Sequence, residues 1–353
     1  MEEVRKAEEK FSAILHFLKE YDGPPMNIME VCGSHTGAIM KNGIPGLLSP
    51  NIHLISGPGC PVCVTPTAYI DRLIELSLEP NTCVVTFGDL MRVPGSRKSL
   101  QEVKGEGGQV EMVYSPMDAL SLAQNDPNVT FVFAAIGFET TIPVYAMLLE
   151  QARKRKIRNI SLLTSLKTMP EVIQFLCSQD TDLNGFLAPG HVAVVTGYQA
   201  FEPLALKYHL PFGVAGFQGK ELMIALYGIV KHYGQGVVKN YYPAVVTREG
   251  NPVARARVEK YFEPCDAVWR GMGAVPDSGL KLRTEWEEYD AGSEGLDEDA
   301  PLNPLCSCAQ VLMGKKEPSQ CSLFGTVCTP LHPQGACMVS DEGSCRSHYL
   351  MQG

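Results

Sequence analysis

The sequence predicts an α/β fold: two similar domains, each on a parallel sheet, followed by a cysteine-rich C-terminal region. Three observations carry that prediction. Apolar runs such as TFVFAAI alternate with amphipathic segments such as IPVYAMLLEQARK, the pattern of parallel strands covered by helices on both faces. The pattern runs through residues 26–125 and starts again over 126–235. Beyond residue 301, large apolar side chains become few while six of the twelve cysteines crowd together.

Residues 1–25 open with an amphipathic helix carrying Phe11, Ile14, Leu15 and Leu18 on one side. In the first domain, NIMEVCG, HLISGPG, TCVVTFGD and QVEMVYSP read as short strands, with TAYIDRLIEL as a helix between the second and third. The second domain repeats the scheme. VTFVFAAIGFETT is a buried strand leading into a helix, ISLLTSLK a strand, and PEVIQFLCSQ a helix. GFLAPGHVAVVTG reads as strand with a turn at PGHV, and FGVAGFQGKELMIALYGIVKHY as strand then helix. Residues 236–300 read as a connecting region that ends in the acidic, apolar-poor TEWEEYDAGSEGLDEDAPLNP, an exposed connector by composition. Residues 301–353 cannot bury a core of their own and need a staple.

The chain has 353 residues, 45% of them hydrophobic, enough for two or three compact units. A net charge of −9 with no basic run argues against nucleic acid and acidic membrane surfaces as partners. The charged N-terminus lacks the apolar core of a signal peptide, and no apolar run approaches the roughly 18–20 residues of a membrane span. The expectation is a cytoplasmic protein, in which a disulfide framework is disfavoured and twelve cysteines point to metal or redox chemistry.

The cysteines fall into groups. Cys83 and Cys177 lie in apolar settings and read as core, and Cys265 as structural. Cys32, Cys60 and Cys63 sit in glycine- and proline-rich loops, the surroundings in which proteins make thiolates. Cys60 and Cys63, in CPVC, have the spacing of a redox pair; half a zinc knuckle, a structural turn, or pairing of either with a third thiol are the alternatives. Cys306, Cys308, Cys321, Cys328, Cys337 and Cys345 lack the paired knuckles of structural zinc. Their long, irregular gaps suit an iron–sulfur cluster better, although zinc and ligand-free thiols stay open and spacing does not choose four of the six.

Other candidates sit at strand ends, where open α/β sheets bind ligands. Cys32 follows the NIMEV strand and is placed to ligate a metal; His35 then reads as a second ligand, a base, or a donor tuning the thiolate. Thr36 reads as a helix cap or turn residue. Glu139, in GFETT, reads as a binding or proton-shuttling carboxylate, with Thr140 and Thr141 as caps. His191 in PGHV sits at a turn before an apolar strand, and Asp89 at a strand end. There is no phosphate-binding loop or dinucleotide fingerprint.

Taken together and in order, VCGSHT (31–36), GPGCPVC (57–63), GFETT (137–141), PGHV (189–192) and the cysteine tail resemble the hydrogenase-maturation HypD family, over nearly the whole chain. The resemblance implies a C-terminal 4Fe-4S cluster whose family spacing, C-x14-C-x6-C-x16-C, falls on Cys306, Cys321, Cys328 and Cys345, leaving Cys308 and Cys337 open. It implies that the CGSH unit binds the iron of a transient Fe(CN)2CO group, shared with a small HypC-type chaperone, and that cyanide arrives from HypE, with HypF upstream. It makes the chain a scaffold and electron donor rather than a stand-alone enzyme. The competing reading is a stand-alone iron–sulfur thiol/disulfide oxidoreductase, against which the missing cofactor fingerprint argues.

Overall fold

A computed structural model describes residues 2–179, 181–300 and 303–351. Its strands are β1 (Met26–Glu30), β2 (Ile52–Ser56), β3 (Thr82–Thr86), β4 (Val110–Met112), β5 (Thr130–Gly137), β6 (Ile160–Lys167), β7 (Gly185–Pro189), β8 (Phe212–Ala215), β9 (Val238–Asn240), β10 (Phe262–Trp269) and β11 (Gly273–Leu282). They form two sheets. The first has the order β2-β1-β7-β8-β9 and is parallel throughout. The second has the order β10-β11-β6-β5-β3-β4; its β4, β3, β5 and β6 are parallel, and β11 joins β6 antiparallel as one arm of a hairpin with β10.

The α/β class and strands β1–β8 therefore stand where the apolar runs place them, whereas β9, β10 and β11 lie within 236–300, the stretch read as a connecting region. Buried on both faces, the central strand β5 is continuously apolar and covered at every residue but its first. The sheet hairpin departs from the all-parallel expectation: β10 alternates between more and less buried positions, as an antiparallel edge with one solvated face does.

The larger departure is in how the strands are shared. The first sheet takes residues 26–56 and 185–240, while the second takes 82–167 and 262–282. The expected boundary at 125/126 falls inside the second sheet, and the boundary at 235/236 precedes a strand of the first. Periodicity reveals each strand–helix unit, but nothing in it says on which sheet the crossover lands. After β2 the helix Thr67–Leu78 carries the chain to the second sheet, where Tyr69 Oη donates to the Leu163 carbonyl at 2.8 Å.

The N-terminal helix Glu2–Lys19 seals the first sheet's outer layer, with Leu18 fully buried and Phe17 edge-on to Tyr227 of helix Gly219–Lys231. The acidic stretch expected to be an exposed connector is instead pinned down. Tyr289 is buried, Ala291 N–H donates to Leu162 O at 2.9 Å, and Asp299 pairs with the buried Arg270 at 3.6 Å. Its acidity masked these anchors. No helix among the described residues is long and apolar enough to cross a membrane.

Of the C-terminal region 301–353, residues 301, 302, 352 and 353 lie outside the described residues. The rest has only a small cluster of its own, around Leu323, Cys328 and Met338, and otherwise lies against the body. Ala336, Cys337 and Val339 enter the main core, and Ser340 Oγ donates to Asp89 at 2.7 Å. At Gly33 a Cβ would stand 2.3 Å from Glu342 Cβ and 2.5 Å from its carbonyl oxygen. Gly33→Ala is expected to cost about 1–3 kcal/mol and to loosen the tail, whereas Gly37→Ala, which meets nothing within 4 Å, should not. Urea unfolding and limited proteolysis of the C-terminal segment would show it; equal behaviour of the two variants would overturn the contact.

Candidate metal and thiol centre

At the carboxyl end of the first sheet, β1 delivers Glu30 and then Cys32, and the helix Gly33–Lys41 begins at once. Cys32 occupies the N-cap position with an extended backbone and leaves its side chain out of the capping bonds. The thiol is half-buried, and its pKa is pushed up to about 12 by burial, against the Ser34 and His35 amides and with the carboxyls of Glu30 and Glu342 adding to the rise. The free thiol is thus protonated at neutral pH, and a metal would have to displace that proton.

Glu30, which sequence reasoning passed over, organises this turn. It is 3% exposed, accepts the Cys32 N–H at 3.0 Å through one oxygen and the Thr36 hydroxyl through the other, and burial pushes its pKa up to about 7. Thr36 therefore serves Glu30 rather than capping the helix. Glu342 closes the other side, accepting from Ser34 Oγ at 2.9 Å. Glu30 was visible in the EVCGSHT run itself, whereas no local signal ties Glu342 to Cys32.

His35 is fully buried. Its Nε2 lies 3.2 Å from Ala215 O and 3.0 Å from Gly216 O, so this nitrogen donates and the neutral tautomer leaves Nδ1 as an acceptor without a partner. Burial pushes its pKa down to about 4. Its ring packs on Phe217, which also stacks on His191 at 4.0 Å. His191 is exposed and starts the helix Gly190–Thr196, not a strand; the glycine before it hid a helix N-terminus.

The GPGCPVC loop lies directly on this turn. Gly57 N–H donates to Glu30 O at 2.7 Å and Gly33 N–H to Gly59 O at 3.0 Å. A Cβ on Gly59 would meet Cys32 N at 2.2 Å, so only glycine lets the backbones approach. Cys60 and Cys63 are joined by a disulfide, with Cα atoms 5.2 Å apart. Both sulfurs are buried instead of presented on an exposed turn, because the C-terminal tail covers them: Cys63 Sγ is 3.8 Å from the carbonyl of Ala336, the residue before Cys337.

All six C-terminal cysteines line one tight cavity. Cys308 and Cys337, left over by the family spacing, face each other with sulfurs 2.7 Å apart. The thiols of Cys306 and Cys337 hold Cys308 below the usual thiol range, and Cys337 is correspondingly raised. At Cys321, burial opposes ionisation but donors from Ser307, Leu323 and Phe324 outweigh it and keep the thiol low. Gly335 keeps the wall open, since a Cβ there would come 2.7 Å from Cys306 Sγ. Among the described residues no group of three or more His, Cys, Asp or Glu side chains is gathered to hold a single metal ion. Soft sulfur donors spread around a cavity fit a cluster better than one ion.

Glu139 is not brought to Cys32. It follows β5 in a separate cavity of the second sheet, accepts the Met169 N–H at 2.8 Å, and its pKa is pushed up to about 8 by burial and by the nearby Glu171. Thr141 occupies the N-cap of the next helix but makes no side-chain cap bond.

The HypD family model, described as "Hydrogenase formation hypA family", matches residues 6–352. This chain belongs to the HypD family. It is 40% identical over 341 residues to the hydrogenase maturation factor HypD of Cupriavidus necator, covering 93% of this chain and 90% of that one. It is 42% identical to HypD of Escherichia coli K12 (92% and 89% covered) and 41% identical to HypD of Azotobacter vinelandii (91% and 88%). The order of motifs along this HypD-family chain is thus a property of its whole length.

The buried Glu139 makes a pH prediction. Its folded pKa of about 8 lies above the ordinary 4.5, so its contribution to stability is full below pH 4.5 and is lost as pH rises through about 8. Glu139→Gln should gain on the parent by a few kcal/mol between pH 5 and pH 9 on the order expected for such a rise. Urea unfolding of both proteins at the two pH values measures this; a constant difference would place the carboxyl's charge in solvent.

Proposed function

We propose that the protein is a cytoplasmic hydrogenase maturation factor that holds iron on Cys32 while an Fe(CN)2CO group is assembled. The observation that carries this reading is the contact of three thiol-bearing segments: the Cys32 turn, the Cys60–Cys63 loop packed against it, and the six-cysteine tail, whose Ala336 carbonyl lies 3.8 Å from Cys63 Sγ. The half-buried Cys32 supplies the iron ligand, and His35, three residues on, keeps a neutral acceptor at Nδ1. A HypC-type small chaperone shares the iron, and HypE, with HypF upstream, brings cyanide as a thiocyanate. Nucleic acid and membrane have no part in it.

The chemistry asks for two electrons. R–S–C≡N plus two electrons gives R–S⁻ and CN⁻, and two thiols closing to a disulfide release two electrons and two protons. Cys60 and Cys63 as a dithiol match that count, and the disulfide is the product. The residues that would hold a 4Fe-4S cluster are Cys306, Cys321, Cys328 and Cys345, and such a cluster supplies electrons singly. Cys308 and Cys337 stand side by side in the same cavity, and Cys63 lies against the carbonyl of Ala336, the residue before Cys337.

Cys32→Ser is expected to leave fold and cluster intact while removing the cyanide and carbonyl infrared bands from the complex with the chaperone; bands that persist would sink the assignment. For the cluster, Cys321→Ala should lose the brown colour and bound iron, and Cys308→Ala should keep both. Equal loss of iron in the two variants would make Cys308 a ligand.

A further inference from the structure

Away from the thiol centre, the second sheet holds a cavity of about 360 Å³ that the reading above does not use. It opens at the carboxyl ends of β5 and β6, where open α/β sheets take ligands, and the helix Pro252–Tyr261 covers it. Among the described residues, seven buried side-chain nitrogen or oxygen atoms have no hydrogen-bond partner. Four of them line this one cavity: Glu139 Oε2, Thr168 Oγ1, Glu171 Oε2 and Arg255 Nε. A buried polar atom left unmet is unfavourable. Four gathered together, with Glu139 itself only 9% exposed, mark a site built for a polar guest.

The inventory restricts the guest. Arg255 Nε–H can only donate, whereas Thr168 and the protonated Glu139 carboxyl can each donate or accept, and Glu171 brings a second carboxyl. An anionic ligand would satisfy Arg255 but face Glu171. A cationic amine would satisfy the carboxyls and leave the guanidinium N–H unmet. A planar group with a carbonyl oxygen and N–H donors side by side meets all of them, and Ile142, Val195 and Leu280 offer an apolar wall for its body.

We propose that this cavity binds a small planar amide, its carbonyl accepting from Arg255 Nε–H and its N–H groups donating to Glu139 and Glu171. Thr168 takes the remaining lone pair or proton. The rise of the Glu139 pKa through burial agrees with a carboxyl kept out of water. The site is separate from the iron and thiol chemistry, so neither inference depends on the other.

The test uses the full chain and nicotinamide as the probe, followed by calorimetry and saturation-transfer NMR. Nicotinate, which replaces the amide by a carboxylate, and 3-acetylpyridine, which keeps the carbonyl but lacks N–H, are the controls. Nicotinamide should bind, and both controls should bind at least about tenfold more weakly. Arg255→Gln and Glu171→Gln, at half-buried positions, should each weaken nicotinamide by about tenfold with an unchanged melting temperature. No binding of nicotinamide, equal binding of 3-acetylpyridine, or unchanged affinity in both variants would overturn it and leave the cavity to water.

Discussion

The site depends on a close approach of backbones at the carboxyl end of the first sheet. β1 and the loop after β2 run against each other with nothing but hydrogen atoms at Gly33 and Gly59, whose side chains would collide with Glu342 and with the Cys32 backbone. That missing volume lets Gly57 and Gly33 exchange backbone hydrogen bonds with Glu30 and Gly59, stacking the CGSH and CPVC loops as two layers. The C-terminal tail forms a third layer over both. A side chain at Gly33 or Gly59 would push apart the layers that bring the thiols together.

Dense packing also sets the electrostatics. Water is excluded from the turn, so burial raises the Cys32 thiol and the Glu30 carboxyl and lowers the His35 imidazole, and all three favour their neutral forms. A cation arriving at Cys32 would reverse that balance, since the amides of Ser34 and His35 at the helix N-terminus already face the sulfur and favour its thiolate. A turn whose thiol and imidazole are neutral and whose carboxyl has a pKa of about 7 can ionise around a cation. His35 contributes by being fixed: two carbonyls hold its Nε2, which leaves the direction of Nδ1 with little freedom.

The thiols show how far local sequence carries. Cys60 and Cys63 were legible as a pair because three residues of separation fix their reach whatever the fold does, and they are bonded. Cys32 was legible as a strand-end residue because the apolar run before it ends in glycine. Cys308 and Cys337 were legible only as leftovers. Twenty-nine positions separate them, and only the fold of the tail sets their sulfurs face to face. Glu139 stands just past the end of β5, yet its company of Thr168, Glu171 and Arg255 comes from two further segments that no local pattern connects to it.

The sequence by itself determined the α/β class, the positions of β1–β8 and the pairing of Cys60 with Cys63, because these follow from the two- and 3.6-residue periods and from the short reach between two cysteines three positions apart. Which strands share a sheet was decided by tertiary structure. A crossover helix returns the chain to whichever edge its packing face fits, and that face is completed by residues far away, as when Tyr69 reaches Leu163. The same holds for the tail. Its cysteines and small residues say that it cannot fold alone, but Glu342 beside Gly33 and Ala336 beside Cys63 exist only because the body offers two glycine-lined surfaces and a buried disulfide for it to cover.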